Sequence, residues 1–218
     1  MSTQSICYIF GAGESHGQPQ APSPGDFVIA ADGGLTYAKR CGITPDLVVG
    51  DFDSLKEPPD DGLNIVTLPQ EKDDTDMAAA LSEGWRRGFR IFHIYGGTGG
   101  RLDHTLANIQ CVAELARRGG RGYLFDKDAV ITAIWNCGIT FPADARGTIS
   151  VFAHSETAVG VYEQGLKYSL ADATLCNTRP IGISNEFTGE PSSISVREGT
   201  LVIIYPYVPT QVTRLKRQ

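Results

Sequence analysis

A chain of 218 residues, 41% hydrophobic and 20% charged, has enough apolar material for a sizeable core and the balance of an ordinary globular protein. Its formal net charge of −6 and pI of about 5.2 leave no broad basic excess, which argues against nucleic-acid binding. The five cysteines are scattered without a C-x-x-C pair, no apolar run approaches membrane-spanning length, and the stretch from Met1 to Gly13 lacks the basic start of a signal peptide. The expectation is a cytoplasmic enzyme with reduced thiols, acting on small molecules, with no membrane or nucleic-acid partner.

The apolar run Ile6 to Phe10 ends in Gly11-Ala12-Gly13, the shape of a buried strand followed by a tight loop. That loop lacks the full G-x-G-x-x-G spacing, so as a phosphate signal it is weak. Residues Gln18 to Gly25 carry three prolines and read as an irregular loop. Phe27 to Ala31 is a second buried strand, Asp32-Gly33-Gly34 turns the chain, and Leu35 to Cys41 is a short helix stopped by Gly42. Asp46 to Val49 is a third strand, running directly into Gly50-Asp51-Phe52-Asp53-Ser54.

Asp51 and Asp53 are two apart, so on an extended backbone they point to the same side. Paired carboxylates facing one way suit Mg²⁺, which is held by one or two carboxylates plus substrate phosphates. The same Asp-x-Asp-Ser also reads as a plain turn, because Asp and Ser side chains bond back to their own backbone. Asn64 to Leu68 is a fourth strand, ended by Pro69.

Lys72-Asp73-Asp74-Thr75-Asp76 precedes the helix-forming run Met77 to Leu81. Acidic residues and a Thr at that point cap the helix and complement its dipole, with Asp73 or Asp74 the expected cap. Asp76 falls inside the first turn, where a second role is open to it. Arg90 to Tyr95 is a fifth strand, ending in Gly96-Gly97-Thr98-Gly99-Gly100-Arg101-Leu102-Asp103-His104. Four glycines in five residues are costly in chain entropy and are best explained where backbone approaches a ligand. His104 reads either as a helix-start residue or as a catalytic base. Thr105 to Arg118 is an amphipathic helix, with Leu106, Ile109, Val112, Ala113 and Ala116 on one side.

Strand, loop and helix repeated this far predict a mostly parallel, Rossmann-like α/β sheet with helices on both faces. After Gly122 to Asp126 helical periodicity disappears. Short β-rich pieces follow at Ala129 to Trp135, Gly147 to Ala153, Thr157 to Tyr162 and Thr200 to Tyr205, the signature of a small antiparallel sandwich or barrel. The expected division is an α/β domain over residues 1–126 and a β-sandwich over 127–218.

Four loops therefore meet the carboxyl edge of one sheet, where open α/β folds bind ligands. An acidic protein that handles phosphates needs a metal or local cations, and Lys72 and Arg101 are the cations in these loops. Their order and spacing strongly resemble thiamine pyrophosphokinase: A-D-G-G, P-D-x-x-x-G-D-F-D-S over Pro45 to Ser54, K-D-x-T-D over Lys72 to Asp76, and G-G-x-x-G-R-x-D-H over Gly96 to His104. Gly165-Leu166-Lys167-Tyr168 and Gly182-Ile183-Ser184-Asn185-Glu186 are similar to that family's C-terminal motifs. Lys72 stands where eukaryotic members tend to carry Gln, so the chain is of bacterial type.

The resemblance implies a homodimer with active sites at the interface, and Mg²⁺-dependent transfer of diphosphate from ATP to the thiamine hydroxyl, giving thiamine diphosphate and AMP. It implies Mg²⁺ on Asp51, Asp53 and Asp76. ATP would lie against Asp32, Gly33, Gly34, Ser54, Lys72, Asp73, Thr75, Gly96, Gly97, Thr98, Gly100 and Arg101. Asp103, and with it His104, is expected near thiamine or its hydroxyl, as Asp32 is in another reading. Tyr168, where some members carry Trp, would stack on the thiamine rings or simply fill the sandwich core. Ser184 and Asn185 would hydrogen-bond the aminopyrimidine or make a turn. The alternatives are the same chemistry on another small alcohol such as a hydroxymethylpterin, a sugar-nucleotide glycosyltransferase using Asp-x-Asp, and a non-catalytic thiamine- or nucleotide-binding protein. The glycosyltransferase leaves the Lys72 and Gly96 loops without a task.

Overall fold

The structure, a computed structural model, describes residues 4–16, 18–50, 64–67 and 75–207. Asp51, Asp53, Ser54, Lys72 and Asp73 lie outside the described residues. The chain forms two compact units, one within residues 4–108 and Leu124–Lys127, the other comprising Ile109–Tyr123 and Asp128–Tyr207.

In the first unit the continuous apolar runs become fully buried strands, as expected of a parallel sheet covered on both faces. These are β1 (Ile6–Phe10), β2 (Phe27–Ala31), β3 (Leu47–Gly50), β4 (Ile65–Thr67) and β5 (Ile91–Tyr95). They pair in parallel in the order β5-β1-β2-β3-β4, with Ile9 opposite both Ile29 and Ile94. The edge strand β4 departs from the buried rule: Ile65 is exposed.

Side chains alternate across a strand, so Cys7 and Phe10 lie on opposite faces of the sheet. Helix α2 (Asp76–Arg86) abuts the Cys7 face, where a Cβ on Gly84 would meet Cys7 Sγ and Phe92 at 2.8 Å. Helix α1 (Gly34–Arg40) takes the other face, with the Tyr37 ring edge-on to Phe10 at 5.4 Å. Helices thus cover both faces, as the strand–loop–helix pattern predicts. Gly34 is required at the start of α1, because a Cβ there would lie 1.9 Å from the Phe10 carbonyl oxygen.

Helix α3 runs over Leu102–Arg117, three residues earlier than the periodicity suggests, so Asp103 and His104 belong to its first turn. Its predicted apolar stripe is only partly buried. Val112, Ala113 and Ala116 are core residues, whereas Leu106 is 57% exposed and Leu102, one turn before it, 82%.

The second unit holds two antiparallel sheets. One contains β7 (Ala129–Trp135), β9 (Thr148–Ala153), β12 (Asn185–Glu186) and β14 (Thr200–Pro206), in the order β12-β9-β14-β7. The other contains β8 (Gly138–Phe141), β10 (Thr157–Gln164), β11 (Leu170–Cys176) and β13 (Ser192–Glu198), in the order β11-β10-β13-β8. Phe141 of β8 meets the Tyr205 ring of β14 at 5.1 Å, which brings the sheets face to face as a sandwich. Strands β8, β11, β12 and β13 are not anticipated from the sequence. In β13, Ser192, Ile194 and Val196 alternate inward, but serines fill much of the pattern and hide it. Strand β6 (Arg121–Phe125) completes the described elements.

Candidate active site

The carboxyl ends of β1, β2 and β5 open on a cavity of about 510 Å³ in the first unit. That volume is ordinary for a small-molecule site. Of the residues expected from the sequence, Asp32, Thr75, Asp76, Gly96, Gly97, Gly100, Arg101 and His104 line it together. Loops separated by more than sixty residues in sequence therefore do converge.

Asp32 ends β2 in a left-handed conformation, with φ of 46°. Its N–H donates to the Val49 carbonyl at 2.8 Å, and a Cβ on Gly50 would lie 3.3 Å from its Cα. A left-handed non-glycine residue costs about 1 kcal/mol or more, which asks for a compensating role. We expect Asp32→Gly to remove the carboxylate and the strain together. The relief is offset by the roughly 0.5–1 kcal/mol that glycine loses in chain entropy. The melting temperature should therefore move by only about 2–4 °C. Turnover should fall about 10-fold or more if the carboxylate acts on ligand; unchanged turnover would leave Asp32 a turn residue.

Helix α2 places Asp76. The cap is Thr75, not Asp73 or Asp74: its side-chain oxygen accepts from the Ala78 N–H at 3.2 Å. Asp76 follows in the first turn, where the helix dipole favours a negative charge. With the capping bond made by Thr75, the Asp76 carboxylate is not needed as a cap.

The Gly96 to Gly100 loop is held against a second loop that the sequence marks only faintly. Gly11 N–H donates to Tyr95 O at 2.8 Å, Gly13 N–H to Gly96 O at 2.7 Å, and Glu14 N–H to Thr98 O at 2.9 Å. At Gly96 the need for glycine is double: φ is 64°, and a Cβ would lie 2.4 Å from the Gly11 carbonyl oxygen. Asn108 of α3 donates to the Gly97 carbonyl at 2.7 Å, and Gly100 N–H donates to Glu14 Oε1 at 3.3 Å. Glu14, Met77 and Asn108 are thus wall residues that sequence reasoning omits; Gly99 of the glycine run lines the wall as well, and so do Gly11, Ala12 and Gly13, whose phosphate signal in the sequence is weak. The Gly-Ala-Gly after a strand was a usable signal, and so was a lone Asn on the apolar side of α3. Nothing local marks Glu14.

Four expected residues do not line the cavity. Gly33 and Gly34 shape the entry to α1. Thr98 is buried and donates its hydroxyl to Asp126 at 2.7 Å. Asp103 does not line the cavity; it grips Arg101, accepting from Nη2 at 2.6 Å and from Nε at 3.2 Å. The Arg101 bond holds the Asp103 carboxyl below the usual carboxylate range, and the same pairing raises the guanidinium. Both groups face solvent, so the pair adds little to stability; it engages the Nε–Nη2 edge of the guanidinium and leaves Nη1 uncommitted to Asp103.

The cavity wall combines carboxylates from Glu14, Asp32 and Asp76, one guanidinium, and glycine backbone. Hard oxygens of this kind suit a divalent cation, and a fork with close-packed backbone suits phosphate oxygens. Among the described residues, no three His, Cys, Asp or Glu side chains are grouped closely enough to hold a metal alone.

Tyr168, Ser184 and Asn185 belong to the second unit. Tyr168 is 61% exposed and so is not a core residue. Ser184 has φ of 60° and donates its N–H to Ser150 Oγ at 3.1 Å, which makes it a turn residue by conformation. Asn185 is buried.

The chain matches the family models "Thiamin pyrophosphokinase, catalytic domain" over residues 20–123 and "Thiamin pyrophosphokinase, vitamin B1 binding domain" over residues 137–201. It is 29% identical to the thiamine pyrophosphokinase of Bacillus subtilis over 182 residues, which covers 81% of this chain and 85% of that protein. The crystal structure of the Bacillus subtilis enzyme aligns with a TM-score of 0.82 at 27% identity, covering 93% of this chain and 99% of the other. The thiamin pyrophosphokinase of Geobacillus thermodenitrificans aligns with a TM-score of 0.80, also at 27% identity, over 94% and 99% of the two chains.

Proposed function

The chain belongs to the thiamine pyrophosphokinase family, and from that premise we infer that it transfers diphosphate from ATP to the hydroxyl of thiamine. The observation that carries the reading is the meeting of Asp32, Asp76, Arg101 and the Gly96 loop around one cavity at the carboxyl edge of the sheet. In the reaction the thiamine hydroxyl oxygen bonds to the β-phosphorus of ATP. The bond from that phosphorus to the bridging oxygen of the α-phosphate breaks, AMP leaves, and the hydroxyl proton is released. Transfer of this kind depends mainly on positioning and on stabilising spread negative charge.

In this reading Arg101, its Nε–Nη2 edge held by Asp103, turns its remaining Nη hydrogens to phosphate oxygens, and Lys72 adds a point charge. The Gly96 to Gly100 backbone lies against the nucleotide, with Thr75 and Asp32 beside it. The cation is Mg²⁺, and the oxygen-rich wall fits it. Asp76 would hold it together with Asp51 and Asp53, which follow directly on Gly50. A bound Mg²⁺ supplies charge neutralisation on the phosphates and fixes their orientation.

Thiamine is taken by the second unit. The exposed Tyr168 ring offers a face on which the cationic thiazolium gains roughly 0.5–2 kcal/mol. One side of that ring already has the Lys167 ammonium 5.5 Å from its centre, held by Glu186 at 2.9 Å, so the ligand takes the other side. The enzyme works as a homodimer. In support, Leu102 and Leu106 on α3, and Ile181 and Ile183 in the second unit, are large apolar side chains left exposed, as interfaces require. The place of action is the cytoplasm; in support, none of the five cysteines is in a disulfide.

The deciding experiment is product analysis. Purified protein with Mg·ATP and thiamine is expected to yield AMP and thiamine diphosphate in equal amounts. Formation of ADP without AMP would overturn diphosphate transfer, and AMP formation without thiamine dependence would overturn the acceptor.

A further inference from the structure

In β10 the side chains alternate, with Val161 and Glu163 turned into the sandwich and Tyr162 and Gln164 outward. Glu163 is only 1% exposed, an expensive place for a carboxyl unless it is bonded. One oxygen, Oε2, accepts from Asn185 Nδ2 at 2.7 Å. The other, Oε1, has no hydrogen-bond partner among the described residues, and neither has the buried hydroxyl of Ser192 on the adjacent strand. Burial pushes the Glu163 carboxyl above its ordinary range, with the Asn185 amide pulling the other way. No core-packing need explains a carboxyl here.

The bonds of Asn185 explain it. Its Nδ2 also donates to the Tyr168 carbonyl at 2.6 Å, and its Oδ1 accepts from the N–H groups of Tyr168 and Glu186, both at 2.9 Å. A carboxamide offers two donors and two acceptor positions, and all four are filled. Turning the amide over would set its oxygen against the Glu163 carboxylate and the Tyr168 carbonyl. Glu163 therefore supplies one of the four bonds that fix the amide's orientation, and the one made by a side chain. The amide in turn brackets both backbone polar groups of Tyr168, a residue 17 positions away, and leaves its ring in solvent.

We propose that Glu163 is a positioning residue for the acceptor substrate: through Asn185 it fixes the backbone of Tyr168, and so the pose of the ring that receives thiamine, with Asn185 acting as this clamp and not as a ligand to the pyrimidine. The inference rests on the thiamine reading above and deepens it. A thiamine-bonded Asn185 would have to abandon one of four good bonds beside a buried carboxyl, and the exposed ring is the group left available.

The test compares wild type, Tyr168→Ala, Glu163→Leu and Glu163→Gln with thiamine and ATP varied separately. Glu163→Leu removes the acceptor and is expected to raise the KM for thiamine about 10-fold, with kcat and the KM for ATP within about twofold of wild type. Glu163→Gln keeps an acceptor oxygen and is expected to restore the thiamine KM to within about threefold. A normal thiamine KM in Glu163→Leu beside a raised one in Tyr168→Ala overturns the clamp alone. A normal thiamine KM in Tyr168→Ala overturns the stacking reading as well. Should Glu163→Leu not fold, hydrogen exchange on wild type decides. The Tyr168 N–H is expected to exchange slowly both free and with thiamine bound; loss of its protection on thiamine binding overturns the proposal, because Asn185 has then left the clamp for the ligand.

Discussion

Asp76→Asn is expected to lower the rate of thiamine diphosphate formation at least about 10²-fold, the size of effect seen when one preorganised electrostatic contact at a transition state is removed. The substitution is nearly isosteric and leaves the helix cap in place, since Thr75 makes the capping bond to Ala78. What the fold loses is the charge near the α2 N-terminus, about 0.3–1 kcal/mol. Against a chain of this length that moves the melting temperature by only about 1–4 °C. A large kinetic loss with a small thermal shift therefore separates a ligand-facing carboxylate from a structural one. If Asp76 shares a cation with Asp51 and Asp53, the variant should also need a higher Mg²⁺ concentration for half-maximal rate. Asp51→Asn and Asp53→Asn should show the same pattern. Wild-type rates in all three would return the acidic motifs to turns and helix ends.

The second large effect belongs to Arg101. Arg101→Ala is expected to reduce kcat/KM for ATP about 10²-fold, because a cation on phosphate is removed from the cavity wall. Arg101→Lys should recover only part of this, since an ammonium cannot reproduce the planar fork. Asp103→Asn is expected to cost less, about 10-fold, because Asp103 touches the guanidinium and does not line the cavity. The double variant Arg101→Ala with Asp103→Asn should be no worse than Arg101→Ala alone, as for two residues acting as one unit. Additive losses would show that Asp103 has a separate contact with substrate. Because Arg101 holds the Asp103 carboxyl below its usual range, the pair is intact at neutral pH. It is lost only as pH falls through that lowered value.

Legibility along the chain was uneven for physical reasons. The runs Ile6 to Phe10, Phe27 to Ala31 and Ile91 to Tyr95 are apolar throughout because parallel strands are buried on both faces, and they were readable to within a residue. The sandwich strands have one wet face, and several have neither a strong alternation nor β-branched residues to announce it. Leu170–Cys176 buries little beyond Leu175, and β12 is two residues long. Their existence depends on a partner strand being present, not on local preference. The apolar side of α3 was read from periodicity alone, which cannot tell a face turned to the core from one turned to solvent; Leu106 falls on the second.

Local pattern was sufficient for the parallel sheet, for the placement of Asp32, Asp76 and Arg101 at its carboxyl edge, and for the family to which these loops belong. Each of those properties follows from a strand ending where polar and glycine residues begin, and that is written in consecutive residues. Folding in three dimensions settled the rest. It laid Gly11 to Glu14 along Gly96 to Thr98 across more than eighty residues, giving the cavity a wall in which Glu14 takes part. It also joined Glu163, Asn185 and Tyr168, three residues from separate segments, into one bonded group. Such contacts depend on strand register and on which buried polar atoms must find partners, and no stretch of adjacent residues encodes either.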